Sequence, residues 1–246
     1  MDTGQHIQVV QSAADQLLRA ATSAGPQAPV PSCPGWTADR LVRHVTRVHH
    51  WAAAVLRGAD PKQVEFVQPS ADELTEVYRL GVQRLVDALT TTPRGRAVWT
   101  FYPADSPVAF WARRQAHETT IHRVDAELAT GTGVMEIDPD LAADGLAELL
   151  IDLAPAHYLG SSVLGTFTMT LTPLDSNRAW TVTAGAHTVA TVEEARDRSD
   201  LTVFGTASDL YRWAWNRAGD DEVALRGNLT LADAWRHSCR VGARRD

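Results

Sequence analysis

Apolar residues recur at intervals of three and four positions through the first 130 or so residues of the chain. This spacing places them on one face of a helix, and Gly- and Pro-containing stretches separate the periodic segments. The pattern predicts four long helices, at residues 4–22, 37–58, 70–89 and 106–131. Four long helices with longer connections are typical of an antiparallel helical bundle.

The fourth predicted helix has the clearest ends. Ser106 is a suitable N-cap, Pro107 suits the first helical position, and Gly131 can adopt the left-handed conformation that stops a helix. The third helix carries a related signal, because Ser70 and Glu73 have the spacing of a capping box. These local signals set the expected boundaries of both helices.

The pattern changes after Gly133. One more helix is predicted, and the segments that follow alternate apolar and hydroxyl residues, as strands with one buried face do. Helices are predicted at residues 138–157, 208–217 and 231–240, and strands at 165–172, 179–183, 187–192, 200–204 and 223–226. The predicted fold class is therefore α+β. A four-helix domain is expected at residues 1–134, and a smaller α+β domain with a mostly antiparallel sheet at residues 138–246.

Composition narrows the class of protein. The chain is 44% hydrophobic and 22% charged, which is normal for globular domains, and its net charge of −7 argues against a general nucleic-acid or anionic membrane surface. No apolar run approaches a membrane span, and the first residues lack the basic flank and apolar core of a signal peptide. With only Cys33 and Cys239, a disulfide framework is not expected, and we predict a cytoplasmic protein.

Candidate metal ligands lie on the fourth predicted helix. Arg114, Glu118 and His122 are spaced four residues apart, so their side chains share one helical face. A carboxylate and an imidazole one turn apart can bind the same metal ion, although such a pair is also common on a solvated face. Two ligands do not complete a site. The hypothesis therefore needs a third ligand from elsewhere in the chain.

His44 is the candidate third ligand, because it lies in an apolar stripe of the second helix and points toward the bundle interior. Metal sites in bundles are built from side chains on facing helices. With Glu118 and His122 it would form a His₂Glu set with an open fourth position, as in catalytic zinc sites. The alternative is a core histidine bonded to a buried partner. His49 and His50 turn away from His44, and we expect them to be solvated or partly packed.

Several neighbouring groups have predicted supporting roles. Asp125, about one turn beyond His122, could orient its imidazole, and Arg114 could meet an anionic ligand or neutralise Glu118. Cys33 and Cys239 are expected to be small buried apolar side chains rather than nucleophiles. A thiol at the open position would then come from a small molecule.

Two segments resemble the mycothiol-dependent maleylpyruvate isomerase family. They are Cys33-Pro-Gly-Trp-Thr-Ala-Asp-Arg-Leu-Val-Arg-His44 and Phe110-Trp-Ala-Arg-Arg-Gln-Ala-His-Glu118-Thr-Thr-Ile-His122-Arg-Val-Asp125. The resemblance covers nearly the whole chain, more loosely in its second half, where Asn228 stands at a position that is commonly acidic in the family. It implies a DinB-like four-helix bundle followed by a domain similar to the sterol carrier protein fold.

The resemblance also implies a function. His44, Glu118 and His122 match the positions of the family's zinc ligands, and mycothiol would be the thiol cofactor or co-substrate. The family uses an arginine near its active site; the candidates for it in this chain are Arg79, Arg84 and Arg114. The expected partners are this small-molecule thiol and an electrophilic small-molecule substrate.

Three reaction types share this ligand set. The thiol could add to the double bond of a maleylpyruvate-like substrate and leave again after rotation, which is a cis-trans isomerase. It could remain attached to an electrophile, which is a mycothiol S-transferase. A metal-activated water with Asp125 or His117 as general base would instead make a hydrolase, which we rank below thiol chemistry. The alternative from another class is a non-catalytic metal- or small-molecule-binding protein.

Overall fold

A computed structural model describes residues 1–157 and 165–239 of the chain. The chain separates into two compact units, Met1–Met135 and Glu136–Asp246. Four long helices form the first unit, and the second contains a five-stranded, mostly antiparallel sheet. The predicted α+β fold class is confirmed.

The first unit contains the four predicted helices in order. They are α1 (Thr3–Ala24), α2 (Ala38–Leu56), α3 (Leu74–Thr91) and α4 (Pro107–Thr130). The most extensive contacts join α1 to α4 and α2 to α3, while α2 also packs against α4. This arrangement allows side chains of α2 and α4 to meet inside the bundle.

The helix ends follow local capping chemistry. At the start of α4, the Ser106 hydroxyl accepts a hydrogen bond from the backbone N–H three residues later (3.4 Å), and at its end Gly131 is left-handed with φ 71°. The capping box predicted for α3 is wrong, because the helix begins at Leu74. The Glu73 carboxylate instead accepts hydrogen bonds from the N–H and the hydroxyl of Ser70 (3.1 and 2.7 Å), which closes a turn ahead of the helix.

Two apolar clusters fill the bundle. One packs around Leu17, Leu41 and Tyr78, and reaches α4 at Ala126; the other packs around Trp111 and reaches residue 116 of α4. The stretch of α4 between them, residues 117–125, carries several buried polar side chains. Burying polar groups costs free energy unless they are hydrogen-bonded, so a buried polar layer of this kind is a candidate position for a functional site.

The second unit is built on one sheet. Its strands are β1 (Phe167–Pro173), β2 (Trp180–Ala184), β3 (Val189–Val192), β4 (Leu201–Gly205) and β5 (Ala224–Gly227), in the order β3-β2-β1-β4-β5. Only β1 and β4 pair in parallel. Leu171 pairs with Trp180 and Val203, and all three are buried. Thr170 and Thr181 are also buried and share a 3.0 Å hydrogen bond, so the centre of the sheet is covered on both faces, unlike the single buried face predicted.

Short helices complete the second unit. They are α5 (Pro139–Ala147), continued by a π-helical turn (Glu148–Leu153) and α6 (Ala154–His157), then α7 (Ala207–Ala214), a 3₁₀ turn (Asp220–Glu222) and α8 (Thr230–Ser238). The predicted end of the last helix at residue 240 lies outside the described residues. The tryptophans of this unit, Trp180, Trp213, Trp215 and Trp235, are all buried. They belong to the core rather than to an open ligand pocket.

Among the described residues, the helices are all too short or too polar to cross a membrane.

Candidate metal centre

Three donor atoms from two helices converge inside the first unit. Glu118 Oε1 lies 3.4 Å from His44 Nε2 and 3.2 Å from His122 Nε2. All three donor atoms lie within 4.8 Å of one another. The structure therefore brings together the three side chains that the sequence singles out.

The separations between these atoms fit a small divalent metal ion. Zinc binds nitrogen and oxygen ligands at about 2.0–2.2 Å, so two ligands at corners of a tetrahedron lie about 3.3–3.5 Å apart. The two separations from Glu118 Oε1 are close to that value. Two imidazoles and one carboxylate also form a donor set that zinc prefers, and they leave a fourth position open.

The local structure explains why these side chains meet. Glu118 and His122 are one turn apart on α4, so they lie on the same face. His44 is in the second turn of α2, which begins where the Thr37 hydroxyl accepts a hydrogen bond from the N–H of Arg40 (3.3 Å). The cluster is only partly covered, because the side chains of His44 and Glu118 are 28% and 22% exposed. A small molecule can therefore reach it.

The charges in the cluster stabilise one another. Burial would raise the pKa of Glu118, but hydrogen bonds with His122 and His44, together with the charge of Arg114, hold it well below its usual value. Burial would lower the pKa of His122, but hydrogen bonds with Asp125 and Glu118 outweigh it and raise the pKa to about 9. Without a metal, Glu118 is thus an anion and His122 a cation at neutral pH.

Asp125 occupies the orienting position that the sequence predicts. Its Oδ2 lies 2.8 Å from His122 Nδ1, and the carboxylate is fully buried. Because a carboxylate only accepts hydrogen bonds, Nδ1 carries the proton. The other ring nitrogen, Nε2, then faces Glu118 with the geometry of a metal ligand.

Trp36 is a component of the cluster that sequence reasoning missed. Its ring lies 5.0 Å from the ring of His44 and 6.5 Å from that of His122, nearly parallel to the latter at 17°. The guanidinium of Arg40 lies over the indole at 5.1 Å. Trp36 lies directly before the cap of α2 and within the first of the two segments that resemble the family, and these are the signals that could have pointed to it.

The prediction for His49 is wrong, whereas His50 is partly packed as expected. His49 is fully buried, its Nε2 lies 2.9 Å from the Thr119 hydroxyl, and burial lowers its pKa to about 3. The buried arc of α2 is centred on residues such as Val45 and His49, and His44 lies at the edge of that arc. The edge position leaves His44 accessible.

Of the three candidate arginines, Arg114 contacts the cluster. It is buried, and its guanidinium lies 3.3 Å from Glu118 Oε2. Arg79 is exposed on α3, and Arg84 lines a separate groove with His50 and Arg57.

Two further predictions concern groups outside the cluster. The buried ring of His117 packs edge-on against that of His6 on α1, at 6.0 Å, so it faces away from Glu118 as helical spacing predicts.

Cys239 is buried, and burial raises its pKa to about 12. Cys33 is only half-buried, and its thiol lies 3.5 Å from Asp125. Cys239 therefore matches the inert thiol expected, while Cys33 is more accessible than expected.

The fold and the cluster define a class of protein, a helical bundle with a candidate His₂Glu metal centre, joined to an α+β unit. The sequence model of the mycothiol maleylpyruvate isomerase N-terminal domain matches residues 9–127, and that of the corresponding C-terminal domain matches residues 140–234. The chain belongs to the mycothiol-dependent maleylpyruvate isomerase family.

Solved structures share this fold. The crystal structure of the mycothiol-dependent maleylpyruvate isomerase aligns with a TM-score of 0.63 and 17% identity, over 92% of this chain and 93% of that chain. A histidine-to-alanine mutant of that enzyme aligns with the same values. Curated protein sequences gave no match to the chain. At 17% identity the structural likeness defines the fold.

Proposed function

We propose that the chain is a zinc-dependent enzyme that uses mycothiol as a thiol cofactor or co-substrate, with His44, Glu118 and His122 as the metal ligands. The convergence of these three donors from two helices, at separations that suit tetrahedral zinc, carries the proposal. Membership of a family named for mycothiol dependence supports the choice of thiol.

The surroundings of the cluster support its role. A zinc ion held there would supply a Lewis acid that lowers the pKa of a thiol at the open position. Asp125 keeps a proton of His122 on Nδ1, so that Nε2 would be the nitrogen that holds the ion. Arg114 adds a positive charge beside Glu118, which favours an anionic group on a bound molecule. We assign the arginine of the site to Arg114.

Two outcomes of thiol addition fit the cluster equally well. In an isomerase, the thiolate sulfur bonds to one carbon of the cis double bond while the π electron pair moves into the conjugated carbonyl as an enolate. The resulting single bond rotates, and the returning pair re-forms the double bond in the trans geometry as the thiolate leaves. In a transferase, the carbon–sulfur bond persists: the enolate takes up a proton, or the electrophile's leaving group departs with its bonding pair, and the adduct is released. Both use the same ligands and thiol, and they differ only in the acceptor. We propose a maleylpyruvate-like acceptor for the first reaction and a simple electrophile for the second.

The metal site is tested by metal content. His44→Ala and His122→Ala proteins, purified and equilibrated with limiting zinc, should contain far less than one zinc per chain by elemental analysis. His50→Ala is the matched control, because His50 lies on the same helix but lines another groove, and it should retain the wild-type content. Full zinc occupancy in either ligand variant would refute the site.

The reaction is tested by thiol dependence. The wild-type protein should convert maleylpyruvate, or consume a haloalkene, only with mycothiol present, and a chelator should abolish turnover. Turnover without thiol would favour hydrolysis, although Asp125 is engaged with His122, and His117 faces α1. Zinc binding without any turnover would favour the alternative of a binding protein.

We also propose that residues 1–134 and 138–246 are separate domains. The two compact units and the two family matches support this division. The metal chemistry is assigned to the first of them, because all three proposed ligands lie there.

A further inference from the structure

A short turn ahead of α2 contacts both oxygens of the Asp125 carboxylate. Ser32 Oγ donates a hydrogen bond to Asp125 Oδ1 at 2.5 Å, and the Cys33 thiol lies 3.5 Å from Oδ2. These contacts join parts of the chain that are more than 90 residues apart. They are specific contacts of the tertiary fold rather than consequences of local helix geometry.

The contacts form a chain of hydrogen bonds that ends at the metal centre. The Ser32 hydroxyl bonds to one oxygen of the Asp125 carboxylate, and the other oxygen accepts from His122 Nδ1 at 2.8 Å. A carboxylate that is held only through one oxygen can swing about its side-chain torsion, whereas one held through both oxygens cannot. Asp125 is fully buried, so its bond with His122 acts in a low-dielectric environment, where hydrogen bonds are strong, and its bond with Ser32 is partly buried.

The backbone of this turn is itself well braced. The Val30 N–H bonds to the Trp36 carbonyl at 3.0 Å, and the Trp36 N–H bonds to the Cys33 carbonyl at 2.9 Å. A further bridge joins Pro29 and Thr37 across the base of the turn. Ser32 is therefore presented to Asp125 from a fixed backbone and needs no additional ordering to make its bond.

The same turn also contacts the proposed metal ligands directly. Trp36, at its end, packs its ring near both His44 and His122. One segment of six residues, Pro31–Trp36, thus lies near the rings of both imidazoles through Trp36 and reaches Nδ1 of His122 through Ser32 and Asp125.

We propose that Ser32 is a positioning residue of the metal centre, which fixes the Asp125 carboxylate and through it the orientation of the His122 ring. The inference rests on the proposed function, since it assumes that His122 binds a metal. Outer hydrogen-bond partners of metal-bound histidines typically change metal affinity by about 10- to 100-fold when they are removed. Ser32 is one hydrogen bond further from the metal than Asp125, so we expect its removal to lower zinc affinity by roughly 3- to 30-fold.

The test measures zinc affinity by competition with a chromophoric chelator on the purified full-length protein. Ser32→Ala should weaken zinc binding by roughly 3- to 30-fold, and Asp125→Asn should weaken it by more. Threonine and valine have similar shapes, but only threonine keeps the hydroxyl. Ser32→Thr should therefore bind zinc with nearly the wild-type affinity, and Ser32→Val should bind it as weakly as Ser32→Ala. This pair keeps the test valid if the alanine variant folds poorly. Thr46→Ala removes a buried hydroxyl that donates to the carbonyl of Val42 in its own helix, and it should leave zinc affinity unchanged.

A double-mutant cycle separates positioning from a general structural effect. If Ser32 acts through Asp125, then Ser32→Ala should have little further effect on zinc affinity in the Asp125→Asn background. Cobalt provides a second readout, because a reoriented His122 should change the visible absorption spectrum of the cobalt-loaded Ser32→Ala protein.

The outcomes are distinct for the two proposals. If the wild-type protein binds neither zinc nor cobalt, the proposed function fails, and this inference fails with it. If the wild type binds zinc while Ser32→Ala and Ser32→Val bind it equally well, only the role of Ser32 is refuted. Fully additive losses in the cycle would also refute it, because they would show that Ser32 does not act through Asp125.

Discussion

Raising the pH should strengthen zinc binding, because in the metal-free protein a proton occupies one of the donor atoms. Burial alone would lower the pKa of His122, but its hydrogen bonds with Asp125 and Glu118 raise it to about 9. At neutral pH the ring is therefore an imidazolium, and Nε2 has no lone pair for a metal. Binding must release that proton, so the apparent affinity falls as the pH falls below about 9.

The size of the effect follows from the pKa. At pH 7, about two units below a pKa of about 9, only about 1% of His122 is neutral, so the apparent affinity is about 100-fold below its alkaline limit. This corresponds to about 2.7 kcal/mol at 1.36 kcal/mol per unit. The stability of the metal-free fold should show the opposite trend with pH. A raised pKa contributes stability that is fully present below about 6.5 and is lost as the pH rises through about 9.

The assay is zinc competition with a chelator whose affinity is calibrated at each pH between about 6.5 and 9.5. Affinity should rise about tenfold per pH unit and level off near pH 9. Asp125→Asn removes one of the hydrogen bonds that raise the pKa of His122, so its plateau should begin at lower pH. An apparent affinity that stays flat across this range would refute the reasoning, since it would mean that His122 is already neutral before zinc binds.

Three further predictions concern stability and reactivity. Trp111→Ala should cost about 3–5 kcal/mol in urea unfolding, because the ring is fully buried in an aromatic cluster; a loss below about 1 kcal/mol would contradict this packing. Gly227→Ala should destabilise more than Gly131→Ala in the same assay, because both have positive φ but only at position 227 would a Cβ overlap a neighbouring backbone carbonyl. A thiol reagent should modify Cys33 quickly and Cys239 only on unfolding, since burial raises the pKa of Cys239 to about 12; loss of the fast phase in Cys33→Ser would check the assignment.

Local chemistry made most of the secondary structure predictable. Ser106 and Gly131 mark the ends of α4 through capping and a left-handed stop, which depend only on nearby residues. The capping box at Ser70 failed because the Glu73 carboxylate accepts both hydrogen bonds from Ser70, and this pair closes a turn without starting a helix. Strand positions followed from alternation, but the burial of Thr170 on the second face of the sheet did not, because it depends on what covers that face.

The candidate metal centre was predictable in part. Glu118 and His122 share a face because a helix repeats every 3.6 residues, and this is a property of α4 alone. His44 was found as a histidine in an apolar stripe, yet the same pattern did not show that His49 is the more deeply buried of the two. Which side of α2 is covered depends on how α3 and α4 pack against it, and the periodicity of one helix does not contain that information.

The sequence by itself determined where most helices and strands lie, and which face of α4 carries Glu118 and His122. It also determined the family that the chain resembles. All of these depend on residues that are close together in the sequence. Only the tertiary structure decided that Arg114 contacts the cluster, that the ring of Trp36 lies near its imidazoles and that Ser32 bonds to Asp125. The physical reason is distance along the chain. The hydrogen bond between Ser32 and Asp125 forms only when the turn ahead of α2 has packed against α4 and brought these two side chains to 2.5 Å.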